Sequence, residues 1–296
     1  MQAWVGRFVT PAGPIEVTHQ RSWATVWRVP LGQGVAWFKA CEEVQAFEPH
    51  LTGELFERWP DRVPRVLGRD DARGWLLLAD AGTPMLQLGN PPEIWMRALP
   101  LYAELQRGET HFVAKHLAHG VPDLRLASWP TRYAALLERE LPLAEHEIAQ
   151  LRRFQPRFAE LCLALAAFGV DDTIQHDDLH MANVYIDGQR LRLLDWGDSS
   201  ISHPFASLVD TFRFLEEVNG LQPGDPWYAR LRDAYLEPWG SGLSEAFGLA
   251  ERTGAFAHCM AWMRQRDSLP EAERPAFDEV YAIVLRRAIR GIAESS

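Results

Sequence analysis

Two short polar segments in the second half of the chain carry the side chains best suited to catalysis. The first reads QHDDLHMANV at residues 175–184, and the second reads LLDWGD at residues 193–198. Apolar residues that are typical of buried strands flank both segments, so we expect the two loops to face one shared site. Such a site can place a proton acceptor beside a bound divalent metal.

Phosphoryl transfer from a nucleotide is the chemistry that these residue types fit best. It needs a carboxylate near the attacking hydroxyl, oxygen ligands for Mg²⁺ and a cation that orients the phosphates. Asp178 suits the first task, and Asn183 and Asp195 suit the second, because Mg²⁺ prefers a few carboxylate or amide oxygens. Lys39 suits the third, since it lies among apolar residues of a predicted strand and must reach water or an anion.

Two other interpretations use the same residues. A metal hydrolase would take its ligands from His176, Asp177, Asp178, His180 and Asp195. The spacing lacks the HExxH pattern, however, and the amide of Asn183 is a poor ligand for a transition metal. We therefore interpret the two histidines as residues that fix the loop. A solvated acidic loop is the plainest alternative, but it does not explain the apolar residues on either side.

The elements that must position these residues begin with an antiparallel sheet. Strand patterns cover residues 15–18, 22–29, 35–40, 62–68 and 75–80. An acidic helical stretch at residues 42–59 follows the third strand and is expected to restart near Glu48, because Pro49 suits a first helical turn. This order allows Lys39 to pair with a glutamate of the helix.

The remainder of the chain is predicted to be mainly helical after a connector at residues 79–84. One helix would begin at Asn90 as its cap, with a kink or break near Leu99. Other helices are expected over residues 131–141, 158–168, 205–218, 227–236, 243–252, 255–266 and 275–292. Residues 184–186 and 191–194 would pair as a hairpin through Asp187-Gly188. The predicted fold class is α+β, with a small lobe at residues 1–80, a helical lobe at 81–296 and a hinge at about 78–84.

Composition favours a soluble intracellular protein. The chain has 296 residues, 47% of them hydrophobic, and a formal net charge of −10. That charge disfavours nucleic-acid binding, and we find neither a signal-peptide pattern nor an apolar run as long as a membrane span. Three scattered cysteines are expected to be buried and reduced. We predict a cytoplasmic monomer or weak dimer that binds no nucleic acid and no membrane.

Residues 175–183 resemble the catalytic loop of the aminoglycoside phosphotransferase and choline kinase group, which are small-molecule relatives of the eukaryotic-type protein kinases. That loop usually reads His-Gly-Asp-Leu-His-x-x-Asn, and here Asp177 replaces the glycine. Residues 194–198 resemble the metal-binding segment of the family, and residues 201–208 resemble the stretch that leads into the next helix. The strand that carries Lys39 and the connector that follows Trp75 are similar to its N-terminal lobe and hinge.

The resemblance implies a bilobal protein-kinase-like fold and an ATP- and Mg²⁺-dependent O-phosphotransferase. It makes Asp178 the catalytic base and makes Asn183 and Asp195 the metal ligands. Lys39 would bind the α- and β-phosphates. A non-catalytic, kinase-like binding module is the competing interpretation, but such a module would be expected to lose at least one of these four residues.

The nucleotide site implied by the resemblance lies between the lobes. Glu48 would pair with Lys39, with Glu43 as the second choice. The hinge residues whose backbone would meet the base are Leu78, Ala79 and Ala81. ATP is the expected nucleotide, and GTP stays open as an alternative. The glycine-rich loop is missing, and residues 20–24 occupy its place, so amides near Ser22 or the charge of Arg21 would cover the phosphates.

The implied acceptor is a hydroxylated small molecule, such as an aminoglycoside, another antibiotic or an amino sugar, and its cationic character stays open. Antibiotic resistance and ordinary metabolism are both open as its role. The acceptor pocket is expected between the catalytic loop and the C-terminal helices. Side chains suited to bind a cation there are Asp177, Asp198, Asp210, Glu216, Trp227 and Trp262. The aromatic members of this set are more typical of a helix core than of a binding site.

Overall fold

Five antiparallel strands form the N-terminal lobe of the protein, whose computed structural model describes residues 1–293. They are β1 (Glu16–Gln20), β2 (Ala24–Pro30), β3 (Val35–Cys41), β4 (Val66–Asp70) and β5 (Trp75–Ala79), in the order β1-β2-β3-β5-β4. β-branched and aromatic residues are frequent in β2 and β3, and they suit a pleated, half-buried surface. The five predicted strands are confirmed, although β4 begins four residues later than expected.

Two helices accompany the sheet and bury their apolar residues in different places. The short α1 (Gln2–Val5) packs Trp4 and Val5 against Phe38 of the sheet. The longer α2 (Glu48–Arg58) starts where predicted, with proline in its first turn. Its Leu51 and Leu55 belong to the large core of the C-terminal helices rather than to the small core under the sheet. Helix α2 therefore joins the two lobes.

The C-terminal lobe is mainly helical, as predicted. Its helices are α3 (Pro92–Glu109), α4 (Val113–Ala118), α5 (Trp129–Leu137), α6 (Glu145–Ala166), α7 (Val209–Asn219), α8 (Pro226–Leu236), α9 (Ser244–Ser268) and α10 (Arg274–Ala293). Within residues 1–293, no helix combines the length and the apolar character needed to cross a membrane. The three cysteines are buried and unpaired, which confirms that part of the prediction.

Several predicted helix boundaries are wrong, each for a local reason. Asn90 is not the cap of α3, because it is buried with φ 60° and its side-chain oxygen accepts a hydrogen bond from Trp95 Nε1 at 2.7 Å. The predicted break near Leu99 does not occur, since α3 continues past Pro100. The helices predicted at 243–252 and 255–266 form one helix, α9, which continues through Gly254. Gly254 packs closely on a neighbouring segment, since a Cβ there would lie 2.6 Å from Cβ of Ala206.

Short strands in the C-terminal lobe hold the polar loops in place. They are β6 (Thr83–Pro84), β7 (Thr173–Gln175), β8 (Val184–Asp187), β9 (Arg190–Leu193) and β10 (Ser200–Ser202). The predicted hairpin is confirmed, with β8 paired to β9. β7 pairs with β10, so the loop after β7 and the loop after β9 lie side by side. β6 pairs with β8 next to Gly82, whose φ of 102° and close approach to Ile186 O leave no room for a Cβ.

Candidate active site

Lys39 joins the two lobes through a pair of carboxylates. Its Nζ lies 2.5 Å from Oε2 of Glu48, the first residue of α2, and 2.6 Å from Oδ1 of Asp195, which follows β9. The Lys39 side chain is 12% exposed and that of Glu48 only 2%, whereas Asp195 is 49% exposed. Asp195 therefore faces the cleft, while Lys39 and Glu48 form its buried support.

Opposed electrostatic effects set the charges of this group. Burial alone would lower the pKa of Lys39, but the negative charges of Asp195 and Glu48 outweigh it and hold that pKa well above its ordinary range. Burial would raise the pKa of Asp195, but Lys39 outweighs this effect and leaves the pKa lowered. Burial raises the pKa of Glu48 despite the nearby ammonium. The ammonium of Lys39 and the carboxylate of Asp195 are thus both charged near neutral pH.

The backbone at Asp195 adopts a conformation that few residues accept. Its φ of 65° and ψ of 64° lie in the left-handed region, where aspartate is better tolerated than most non-glycine residues. The following Gly197 packs against the start of α2, since a Cβ there would lie 2.6 Å from the Gln45 side chain and 2.8 Å from Glu48 Oε2. This close packing fixes the Asp195 segment against Glu48.

Asp178 and Asn183 are hydrogen-bonded to each other within the loop after β7. The Asn183 amide donates to the Asp178 carbonyl at 2.8 Å and to its Oδ2 at 3.0 Å. His180 Nε2 lies 3.4 Å from the same Oδ2. Burial would lower the pKa of His180, but the contact with Asp178 and the negative charges of Asp178 and Asp210 together outweigh burial and raise that pKa. Asn183 and His180 therefore orient the Asp178 carboxylate from two directions.

His176 connects the two loops. It is fully buried, its ring packs at 4.8 Å from that of Trp196, and its Nε2 lies 2.7 Å from the carbonyl of Leu194. Burial lowers the pKa of His176, so the neutral imidazole donates Nε2–H to that carbonyl. His176 thus ties the loop of Asp178 to the segment of Asp195, in agreement with the expected role of fixing the loop.

Asp177 occupies the position at which the resembled family pattern has glycine. Its φ is 58°, a left-handed conformation that glycine adopts freely and that aspartate tolerates. Its half-buried carboxylate accepts a hydrogen bond from Ser200 Oγ, and burial raises its pKa to about 6. Glycine and aspartate can therefore both adopt the left-handed backbone conformation at this position, although their side chains differ.

The six acceptor residues predicted from the sequence do not all lie together, and five of them are divided between two cavities. Asp177, Asp198 and Trp262 line one cavity of about 260 Å³ together with Asp178. Burial, reinforced by the charges of Asp178 and Asp195, raises the pKa of Asp198 to about 7. Gln45 Nε2 donates to Asp198 Oδ1 at 3.0 Å. These predicted residues therefore meet beside Asp178.

The remaining predicted acceptor residues lie elsewhere. Asp210 and Glu216 line a second cavity, of about 320 Å³. Asp210 Oδ1 accepts from Arg213 Nε at 2.7 Å, and Arg287 is hydrogen-bonded to Glu216. Trp227, on α8, packs against the large core and lies under the guanidinium of Arg230 at 5.4 Å. These three residues thus have structural partners of their own.

Asp210 also shows how a buried carboxylate stays charged. Burial would raise its pKa, but His258, at 3.3 Å, and Arg213 outweigh burial and leave that pKa lowered. The carboxylate therefore pairs with Arg213 of its own helix and lies beside His258 of α9. The next residue, Thr211, donates through Oγ1 to the carbonyl of Leu179, in the loop that carries Asp178, at 2.6 Å.

The nucleotide residues predicted from the sequence are divided between two regions. Leu78 and Ala79 lie in β5, and the amide of Ala79 donates to the Arg65 carbonyl at 2.9 Å. Ala81 is buried next to the β8–β9 hairpin. Ser22, in contrast, donates a hydrogen bond to Glu273 in the loop between α9 and α10. The turn between β1 and β2 is therefore attached to the C-terminal lobe.

Sequence reasoning missed several residues that complete the site. Trp23 and Arg264 line the same cavity as Asp178, and both Gln45 and Gln265 donate hydrogen bonds to Asp198. Trp23 had a sequence signal, because it lies in the segment that replaces the glycine-rich loop. The glutamines had none, since each approaches Asp198 only through contacts distant along the chain.

A family model described as "Phosphotransferase enzyme family" matches residues 16–249. A search of curated proteins found no match.

Solved structures are similar over nearly the whole chain. The amicoumacin kinase hAmiN, in complex with AMP-PNP, Ca²⁺ and Ami, has a TM-score of 0.64 at 9% identity over 97% of this chain and 92% of that one. The choline kinase LicA from Streptococcus pneumoniae has a TM-score of 0.59 at 15% identity, covering 91% and 89%. The GDP complex of aminoglycoside 2′-phosphotransferase-IIIa has a TM-score of 0.60 at 14% identity, covering 94% and 93%. The bilobal, protein-kinase-like fold is thereby confirmed.

Proposed function

The chain belongs to the phosphotransferase enzyme family, and we propose that it transfers the γ-phosphoryl group of ATP, with Mg²⁺, to a hydroxyl of a small cationic acceptor. The observation that carries this proposal is the group formed across the cleft by Lys39, Glu48 and Asp195, with Asp178 in the adjacent loop. A lysine held between two carboxylates of different elements is the arrangement that phosphate orientation requires.

Lys39 is the proposed ligand of the α- and β-phosphates. Its ammonium stays charged because Asp195 and Glu48 raise its pKa. The buried Glu48 holds the lysine towards the cleft, while the half-exposed Asp195 leaves carboxylate surface for another cation. Phosphate oxygens can therefore reach the ammonium without disrupting its buried partner.

Asn183 and Asp195 are the proposed magnesium ligands, and the local charges fit a cation. Within residues 1–293, no group of three or more His, Cys, Asp or Glu side chains is arranged to hold a metal by itself. Mg²⁺, however, commonly takes one or two carboxylates together with substrate phosphates and water. Burial is the main cause of the raised pKa of Asp198, and the charges of Asp178 and Asp195 add to it, which supports a site that would accept a cation. When bound, Mg²⁺ would neutralise charge that develops on the phosphates.

Asp178 is the proposed general base. The Asn183 amide and His180 approach its Oδ2, and this fixes the carboxylate in the lining of the cavity. An acceptor hydroxyl placed there donates its hydrogen bond to Asp178, which orients the oxygen and receives its proton as the bond to phosphorus forms. The neutral His176 contributes by holding this loop next to Asp195.

The nucleotide would lie between the lobes, with residues 1–80 as the nucleotide-binding lobe and residues 81–296 as the catalytic lobe. Backbone groups at Leu78, Ala79 and Ala81 are the proposed contacts of the base. Known structures of similar fold contain AMP-PNP or GDP, which supports a nucleotide site and keeps GTP as an alternative to ATP. Ser22 is a weaker candidate for a phosphate contact, because its hydroxyl is already bonded to Glu273.

A thermal-shift titration and a transfer assay test this proposal together. We expect ATP and Mg²⁺ jointly to raise the melting temperature of the wild type, and we expect Asp195→Ala to lose most of the Mg²⁺-dependent part. We also expect transfer of phosphate from ATP to at least one member of a panel of aminoglycosides, macrolides, cyclic peptide antibiotics, amino sugars and choline. Stabilisation by neither ATP nor Mg²⁺, with no transfer, would favour the non-catalytic module.

A further inference from the structure

A group of buried polar side chains contacts the backbone that leads into the Asp178 loop. Tyr102 and Gln106 lie one turn apart on α3, and both are fully buried. The backbone N–H of His176, two residues before Asp178, donates to Tyr102 Oη at 3.0 Å. Gln106 Nε2 donates to the carbonyl of Ile174 at 2.9 Å. Two side chains of α3 therefore hold the chain immediately ahead of the proposed base.

The directions of these hydrogen bonds follow from the chemistry of the partners. The Ile174 carbonyl can only accept, so the amide nitrogen of Gln106 faces it and the amide oxygen faces the hydroxyl of Tyr235, at 2.6 Å. The same nitrogen donates to Tyr102 Oη at 3.1 Å. Together with the backbone N–H, this gives the Tyr102 oxygen two donors, so its own hydrogen is donated to Ser207 Oγ. One buried hydroxyl thus has three partners.

The ring of Tyr102 also reaches the segment that carries Asp195. Its centroid lies 6.5 Å from that of the fully buried Trp196, the residue after Asp195, which is within the range of aromatic pairs. Trp196 packs in turn on the ring of His176 at 4.8 Å. Tyr102 is therefore connected to both polar loops of the site, to one through its hydroxyl and to the other through its ring.

Tyr102 cannot touch a substrate, because it is fully buried. Burial also raises its pKa, so the phenol keeps its proton at neutral pH. Removing only its oxygen would leave a backbone N–H and an amide N–H buried without an acceptor. The loop would have to shift to satisfy them, and a displacement of about 1 Å at a reacting group can cost about a hundredfold in rate.

We propose that Tyr102 is a positioning residue for phosphoryl transfer, because its hydroxyl fixes the backbone that leads into Asp178. Gln106 and Ser207 act with it by holding that hydroxyl in one orientation. The inference rests on the proposed phosphotransferase function and adds to it a residue that lies outside the reacting atoms. Since Tyr235 of α8 in turn holds Gln106, the orientation of the base depends on the packing of α3 against α8.

Tyr102→Phe and Tyr133→Phe form a matched pair for testing this proposal. Tyr133 is equally buried, and its hydroxyl donates to the Leu151 carbonyl at 3.1 Å between α5 and α6. Each substitution removes one buried hydroxyl, so we expect both to lower the melting temperature. In transfer assays with ATP below that temperature, only Tyr102→Phe should reduce kcat, by about ten- to a hundredfold. Its KM for ATP should stay within about twofold of wild type, because the nucleotide site is unchanged.

Ser207→Ala is a second, milder variant of the same network. It removes the acceptor of the Tyr102 hydrogen and leaves the ring and both N–H donors in place. We expect kcat to fall by about three- to tenfold, the equivalent of one hydrogen bond. Combined with Tyr102→Phe it should cost no further activity, since the hydroxyl that Ser207 holds is then absent.

Hydrogen exchange gives a readout that does not depend on activity. The His176 amide should exchange at least about tenfold faster in Tyr102→Phe than in wild type, because it loses its acceptor, whereas Tyr133→Phe should leave its rate unchanged. Unchanged kcat in Tyr102→Phe and Ser207→Ala, an equal loss of kcat in Tyr133→Phe, or an unchanged exchange rate at His176 would each overturn the proposal.

The proposed function fails in a different way. If the wild type transfers phosphate to no acceptor while the His176 amide still exchanges faster in Tyr102→Phe, the contact that holds the loop stands and the phosphotransferase assignment does not.

Discussion

The back and the front of the inter-lobe cleft are fastened in different ways. At the back, Arg58 at the end of α2 donates to both oxygens of Glu109 in α3, at 2.8 and 2.7 Å, and Glu109 is fully buried. His116 and Trp59 also reach Glu109, each at 2.7 Å. At the front, the β1–β2 turn meets the loop after α9 through one solvent-exposed hydrogen bond from Ser22.

This difference indicates which side of the cleft can move. Removing one partner of a buried ion pair costs about 3–5 kcal/mol, whereas a typical hydrogen bond contributes only about 0.5–1.5 kcal/mol. Glu48 and Arg58 lie at the two ends of α2, so the network at Glu109 also fixes the helix that supports Lys39. We therefore expect the front of the cleft to open more readily than the back, which supports the Lys39–Glu48 pair.

Glu109→Gln, at the back of the cleft, is the substitution expected to lower the free energy of unfolding most. It keeps the size of the side chain but leaves the guanidinium of Arg58 without its main carboxylate, so we expect the free energy of unfolding to fall by about 3 kcal/mol. Urea unfolding at pH 7 measures this quantity. Glu104→Gln is the matched control, because Glu104 lies on the same helix, is 48% exposed and pairs with Arg62. We expect that control to cost less than about 1 kcal/mol. An equal decrease in the free energy of unfolding in both variants would contradict the idea that the Arg58–Glu109 network fastens the back of the cleft.

Acid should weaken the back of the cleft through Glu54, which pairs with Arg58 and Lys115. Burial would raise the pKa of Glu54, but the hydrogen bonds from Lys115 and Arg58 outweigh it and lower the pKa to about 2. An unfolded glutamate titrates near about 4.3, so the contribution of Glu54 is complete above that pH and is lost as the pH falls towards 2. We expect the stability difference between wild type and Glu54→Gln to narrow across this range. An equal difference at pH 7 and pH 3 would exclude the ion pairs as its source.

Ser22→Ala should have the smallest effect on stability. It removes the hydroxyl that bonds Glu273, and because this contact is exposed, we expect a loss of about 1 kcal/mol or less. Hydrogen exchange should nevertheless accelerate at residues 20–24, since the turn loses its attachment to the C-terminal lobe. A decrease in the free energy of unfolding as large as that of Glu109→Gln would show that the front and the back of the cleft are fastened equally.

Local patterns in the sequence predicted the parts of this molecule that depend on neighbouring residues. The strands, the restart of α2 at Glu48 and the β8–β9 hairpin follow from periodicity, proline placement and the Asp187-Gly188 turn. The grouping of Asp178, Asn183 and Asp195 follows from two loops between short strands that pair within one small region.

Contacts between distant residues were beyond the reach of the sequence. Arg58 and Glu109 are 51 positions apart, and Ser22 and Glu273 are 251 positions apart, so no spacing rule connects either pair. Asp210 resembled an acceptor residue because its acidity alone gives no sign of a partner such as Arg213. Burial and pairing, rather than residue type, decide which acidic groups face the cleft.

The most direct test of the central claim compares Asp178→Asn with Asp187→Asn in a phosphoryl-transfer assay with ATP, Mg²⁺ and the acceptor identified in the panel. Asp187 is the matched control, because it is an exposed aspartate in the nearby β8–β9 turn. We expect Asp178→Asn to bind ATP and acceptor within a few-fold of wild type. Its transfer rate should fall by about 10²- to 10⁴-fold, while Asp187→Asn stays fully active. Full transfer by Asp178→Asn would contradict the assignment of Asp178 as the base.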